Sequence, residues 1–350
     1  MLPRRAAIAP SFAERIAGPV RRMLEIQQSD GAIPWFEDGP WDAWNHGECV
    51  MALAVAGERD AAWAGMQALL HRQLPDGGFA SEYGNALPMT ADLLRMERVA
   101  GPKISDTNFT AYVATAALHL HLLGDPRAGD LWPMVQAAID HVIARQHVQG
   151  DISWCAEAHG CPDTDDALIA GNASIHASIG HALLLGEALG DPQPRWALAR
   201  ARLGDALRNA PHRFGRSVVS RPPHAMDCYY PALTSICVDP RAHLMAHWSR
   251  FVMEGLGCRC VADEPWVTVA ESCELAIAAH QAGMTREAAM MLAWMEARRD
   301  TDGAFWMGWQ SEVGIDWPAE KPSWTQAAYV LACDAIGGET PAAGLFALRP

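Results

Sequence analysis

The chain has 350 residues, half of them hydrophobic, and a net charge of −14 with only two lysines, Lys103 and Lys321. That length and apolar share support a sizeable core. Nucleic acid and anionic membranes are excluded as partners by the missing basic stripe, and a transmembrane segment by the lack of any apolar run of bilayer length.

The first residues, MLPRRAAIAPSFAERIAG, carry two arginines but no continuous apolar stretch, and read as the first helix rather than a leader. Four later stretches resemble one another: QQSDGAIPWF (27–36), RQLPDGGFASEY (72–83), RQHVQGDISW (145–154) and RRDTDGAFWMGW (298–309). Each ends a helical segment, turns at Gly and then shows an aromatic, the mark of a repeat architecture. Alternating strand patterns are absent; GAFWMGW predicts at most a small hairpin.

The helical segments fall into two sets. Apolar helices start near Trp44, Thr107, Asp165, Asp227, Val267 and Trp324. Amphipathic ones cover about 10–28, 59–74, 127–147, 191–209, 239–254 and 286–299, with a short extra helix near 86–98. Six inner helices alternating with six outer ones predict an all-α, single (α/α)6 toroid spanning residues 1–350 as one domain, with short loops joining neighbours.

Nine scattered cysteines without a CxxC pair fit free thiols in a reducing cytoplasm and argue against structural zinc. His243 and His247 stand four apart without a neighbouring Glu, and read as a helix face rather than a metal site. No cofactor is expected.

In a toroid the inner-helix N-termini gather at one mouth, and here they carry unusual residues. The first start has Asp42, Trp44, His46 and Glu48, with Trp35 just before it; the second has Asp106, Asn108 and Tyr112. The third follows Trp154 and the cluster Asp163, Asp165 and Asp166; the fourth has Asp227, Tyr229 and Tyr230. The fifth has Trp266, Glu271 and Glu274, and the sixth Trp324, with Trp306 upstream. Aromatic walls with convergent carboxylates describe a small-molecule pocket. Asp42 and Asp227 also suit N-caps, and the three aspartates suit a helix start. Glu271 and Glu274 share one face of an apolar helix, where an unpaired charge is costly.

The crowded aspartates also suit a general acid, since burial and like charges keep one carboxyl protonated. Asp163-Thr164-Asp165-Asp166 resembles the DxDD motif of class II terpene cyclases. The stretch around Gln27 to Trp35 resembles the QW-type repeats of that superfamily, whose barrels are (α/α)6 toroids. The chain also resembles single-barrel actinobacterial prenyltransferase-like proteins. The resemblance implies proton-initiated cyclisation of an isoprenoid, an isomerase or lyase reaction, with Asp165 as acid and Asp163 and Asp166 in support. Trp35, Trp44, Trp154, Tyr229, Tyr230, Trp306 and Trp324 then form a cation-stabilising wall. A diphosphate substrate would bring in Mg2+ or Arg213, Arg216 and Arg221, and a second barrel would come from a homo-oligomer or partner.

The alternative is a carbohydrate-active enzyme, a glycoside hydrolase or sugar epimerase. Glu48, Asp165, Asp227, Glu271 and Glu274 would then supply paired carboxylates, with His46 a base for epimerisation.

Overall fold

Composition sorts the helices before any contact is considered. In α4 (Thr107–Leu122) thirteen of sixteen residues are buried, whereas in α7 (Pro194–Asn209) only five of sixteen are, so the first must be sheathed on all sides and the second on one. A computed structural model describes residues 10–85, 105–156, 166–216 and 223–350. Within them lie the inner helices α2 (Ala43–Val55), α4, α6 (Ile169–Ala188), α8 (Ala225–Leu233), α10 (Val269–Gln281) and α12 (Ser323–Gly337). The outer helices are α1 (Phe12–Ile26), α3 (Arg59–Leu70), α5 (Trp132–Ile143), α7, α9 (Pro240–Phe251) and α11 (Thr285–Glu296).

Each inner helix packs on the next, and α12 returns to α2, so the ring closes. Each inner helix also backs onto an outer one, α12 onto α1 and α2 onto α3. The fold is an all-α (α/α)6 toroid, as the alternating pattern predicts. Every inner start falls within four residues of its expected place. The largest error is α6, which begins at Ile169 rather than at the aspartates, with Leu168 as its N-cap and no side-chain cap.

Short strands decorate the mouth. β1 (Pro40–Trp41) pairs with β2 (Tyr83–Gly84), and β3 (Ser105–Asp106) with β4 (Cys155–Ala156). A five-stranded antiparallel sheet joins β5 (Val252–Met253), β6 (Gly257–Arg259), β7 (Trp266–Thr268), β8 (Gly308–Gln310) and β9 (Ile315–Asp316) in sequence order. The sequence predicts only a hairpin here. Two- and three-residue strands are too short to show alternation, which is why their pairing is invisible in the pattern.

The repeated Gly-turns have a common purpose. Gln27 Nε2 donates to the carbonyls of Gly31 and, on α3, Ala61; Gln73 does the same to Gly77 and Met134 of α5; Gln146 to Gly150 and Ala199 of α7. Each amide thus stitches the end of one outer helix to the body of the next. Two residues past the Gly, the strap turns inward. There the backbone N–H of Ile33, Phe79, Ile152 and Phe305 donates to His46 Nδ1, Thr110 Oγ1, Asn172 Oδ1 and Gln326 Oε1. These four acceptors are all the fourth residue of their inner helix. Ser272, fourth in α10, accepts likewise from Cys258 N. The straps therefore hold the first turns of five inner helices in place.

Candidate active site

Two carboxylates cap inner helices. Asp42 Oδ1 accepts from Trp44 N and Asn45 N at 2.8 Å each, and Oδ2 from Trp35 Nε1 at 2.9 Å and Asn45 Nδ2 at 2.7 Å. Burial still raises its proton affinity, against those four hydrogen bonds. Asp106 accepts from Phe109 N at 3.0 Å, and dry surroundings push its carboxyl up to about 7.

One turn deeper lies a floor of aromatic and acidic side chains. Glu48 Oε1 accepts from Trp44 Nε1 at 3.0 Å and from the Tyr112 hydroxyl at 3.3 Å. Glu274 accepts from the Tyr229 hydroxyl on Oε2 and the Tyr230 hydroxyl, at 2.9 Å, on Oε1. Trp44 meets Tyr230 edge-on with ring centres 5.6 Å apart, and lies 5.8 Å from both Phe109 and Tyr112. Side chains of α2, α4, α8 and α10 thus converge across the barrel. Burial, then the charge of Glu274, holds Glu48 well above the usual carboxylate range. Glu274 is pushed up to about 7 by burial, with Glu271 adding to the rise against the pull of the Tyr229 hydroxyl. Glu271, half-exposed and one turn nearer the mouth, completes this acidic face.

The remaining expected residues are dispersed around that floor. Trp35 and Trp324 meet edge-on at 5.7 Å on the α2/α12 side. Asn108 is buried in the first turn of α4, its Oδ1 without a partner among the described residues. Asp227 Oδ1 accepts from Ala170 N at 3.3 Å, linking α8 to α6. Trp266 is tied through Nε1 to the Trp317 carbonyl at 2.7 Å. Trp306 lies under the Lys321 ammonium, 4.4 Å away, beside a cleft of about 440 Å³ that Phe36 also lines. Trp154 donates its backbone N–H to the Asp166 carbonyl.

Three expectations need correction on geometry. His46 is fully buried, with Nδ1 accepting from Ile33 N and Nε2 engaged with the Gly65 carbonyl at 2.8 Å, so both ring nitrogens belong to the frame. Burial lowers its pKa to about 4. Asp166 is buried as a loop anchor, its Oδ1 accepting from Ala167 N and Arg216 N. Arg213 and Arg216 pair with Asp151 and Asp166 instead of standing ready for a diphosphate. Asp163, Asp165, Arg221 and the short helix near 86–98 lie outside the described residues. Sequence reasoning placed Tyr112 and Asp106 at an inner start but gave neither a role of its own. Their signal was there: an Asp at the N-cap and a Tyr at the sixth residue of a largely apolar helix.

No family model matches the chain. It is 39% identical over 337 residues, 95% of its length and 89% of the relative's, to the MMP endo-(1,4)-3-O-methyl-alpha-D-mannosidase of Mycolicibacterium hassiacum. Among solved structures it is similar to the GH63 mannosylglycerate hydrolase from Thermus thermophilus in complex with glucose (TM-score 0.67, 14% identity, 90% of this chain and 99% of that one). It is also similar to a D-mannose isomerase (TM-score 0.67, 11% identity, 96% and 100%) and to a glycosidase in complex with glucose (TM-score 0.66, 14% identity, 94% and 97%). These structures share the toroid fold.

The mannosidase relative overturns the terpene-cyclase and prenyltransferase-like reading, and with it the isoprenoid substrate and the isomerase or lyase class. The physical reason is visible in the floor. A polyene pocket needs apolar walls, whereas this one sets a buried Glu48 and a partly buried Glu274 among phenol hydroxyls and an indole N–H. Among the described residues no helix is long and apolar enough to cross a membrane.

Proposed function

Because this chain belongs to the family of the Mycolicibacterium hassiacum MMP endo-(1,4)-3-O-methyl-α-D-mannosidase, we propose that it is a glycoside hydrolase acting on α-(1,4)-linked mannosides, 3-O-methylated ones included. Glycoside hydrolysis needs one carboxyl that carries a proton to the leaving oxygen and a second that activates water or the sugar carbon. The observation that carries the reading is the unequal hydrogen bonding of the floor carboxyls. Both described donors to Glu48 go to Oε1, which leaves Oε2 free to carry a proton, and burial with the Glu274 charge favours the protonated form. Glu48 is the general acid in this scheme. Glu271, half-exposed at the mouth on α10, is the carboxylate that activates water. Glu274, fixed by two tyrosine hydroxyls, keeps the proton on Glu48 through its charge. Trp44, Trp35 and Trp324 offer flat faces on which sugar rings stack.

The test is hydrolysis of α-(1,4)-linked 3-O-methylmannose oligosaccharides, with unmethylated mannosides and α-glucosides alongside. Release of shorter mannosides, lost in both Glu48→Gln and Glu271→Gln while their melting temperatures hold, supports the assignment. Cleavage that survives both substitutions sinks it, as does turnover of the glucosides alone.

A further inference from the structure

Cys228 occupies the position that a strap pins in the other inner helices. It is the fourth residue of α8, as His46, Thr110, Asn172, Ser272 and Gln326 are of theirs, and each of those five accepts a backbone N–H from a neighbouring strand or strap. Among the described residues Cys228 receives no such bond. Its thiol instead faces α9, where His243 and His247 lie on one side of the helix with ring centres 5.2 Å apart. One nitrogen of each ring and Cys228 Sγ all lie within 4.8 Å of one another.

We propose that Cys228, His243 and His247 form a binding site for a zinc-class divalent cation that fastens α8 to α9. Two histidines four apart on a helix present both rings to one ion. A thiolate from the facing helix joins the two imidazole nitrogens in a donor set suited to Zn2+. One ring is already tied to α8. His243 Nε2 donates to the Cys228 carbonyl at 2.8 Å, which leaves Nδ1 holding the lone pair of a neutral imidazole. Metal-bound histidines are commonly held this way, their second ring nitrogen donating to a backbone carbonyl. A tetrahedral ion with Zn–N of about 2.0 Å and Zn–S of about 2.3 Å wants donors roughly 3.5 Å apart, so side-chain rotation of about 1 Å closes the site. On binding, the Cys228 thiol gives its proton to solvent, a sulfur–metal bond forms, and water fills the fourth position.

The site has a consequence for the pocket, because Cys228 stands between Asp227 and Tyr229. A metal there would fix the first turn of α8 as straps fix the others. The inference does not rest on the hydrolase reading, and its test reads no activity.

The experiment is titration of reduced, metal-stripped protein with Co2+, followed by the thiolate-to-cobalt charge-transfer absorption, with Zn2+ thermal shifts in parallel. One equivalent of Co2+ should saturate the band. The band should vanish in Cys228→Ser and need at least tenfold more Co2+ in His247→Gln, and Zn2+ should raise the melting temperature of the wild type only. His247 is on a partly exposed helix face, so its variant keeps the test alive if Cys228→Ser fails to fold. No band in the wild type, or a band and a Zn2+ shift unchanged in the folded variants, would overturn the site.

Discussion

Glu48 and Glu274 face the same floor but distribute their hydrogen bonds differently, and that difference makes a pH prediction. Glu48 must be protonated to act as an acid, so its titration sets the alkaline limb of the activity profile. Burial raises its pKa first and the Glu274 charge second. Glu274→Gln removes the charge and leaves the burial. The Glu48 pKa then falls, and the alkaline limb of kcat/KM should move to lower pH while the enzyme stays active. An unmoved limb would mean that Glu48 is not the group titrating. For Glu48→Gln itself, loss of general acid catalysis should lower kcat by about 10²- to 10⁴-fold. The Glu271–Glu274 pair was legible in the sequence, because two acids on one face of an apolar helix are conspicuous. His46 was misread for the opposite reason. A histidine at an inner start looks chemical, and only the strap arriving from Ile33 shows that it is an acceptor in the frame.

The strap explains at the level of elements why QxxDG recurs. Gly77 has a φ of +88°, and a Cβ there would sit 2.3 Å from the Ala137 carbonyl oxygen of α5. The turn therefore needs Gly twice over, for its backbone conformation and for the close approach. Gly77→Ala should cost about 3 kcal/mol or more, read as a drop in the urea midpoint. Gln73→Ala removes two amide hydrogen bonds, at 3.0 and 2.9 Å, to the carbonyls of Gly77 and Met134. Its cost should be about 2 kcal/mol. If Gln73→Ala proves neutral, the stitch between outer helices carries no stability. The repeat was read correctly as helix, Gly-turn and aromatic, and its spacing located the toroid. The family attached to it was wrong because a Gln–Gly stitch answers to toroid geometry and says nothing about the chemistry in the mouth. The DxDD motif misled in the same way: Asp166, its one described member, anchors a loop to Arg216.

Over the whole molecule, closing the described helices into a ring buries titratable groups that an open arrangement would leave wet, and these act on stability in opposite directions. Asp106, pushed up to about 7, contributes stability that is full below the ordinary Asp range and is lost as pH rises through 7. The buried histidines do the reverse. His119 lies in α4 at 1% exposure, neither ring nitrogen has a partner among the described residues, and burial first and His181 second bring its pKa down to about 3. His181 itself is lowered to about 4 and His176 to about 3, both chiefly by burial. The unfolded chain takes up a proton on each near pH 6.5 while the folded chain refuses it, so their contribution falls as pH drops below 6.5. One carboxyl offsets only part of the effect of three imidazoles between pH 4 and 6.5, so the wild-type pH dependence mixes the two sets. A single substitution exposes one of them. His119→Gln lacks the proton that the unfolded state captures, so the wild type should lose about 2 kcal/mol relative to it between pH 7.5 and pH 5. Urea unfolding of both proteins at the two pH values measures that difference, and equal slopes would mean that His119 is protonated inside the ring.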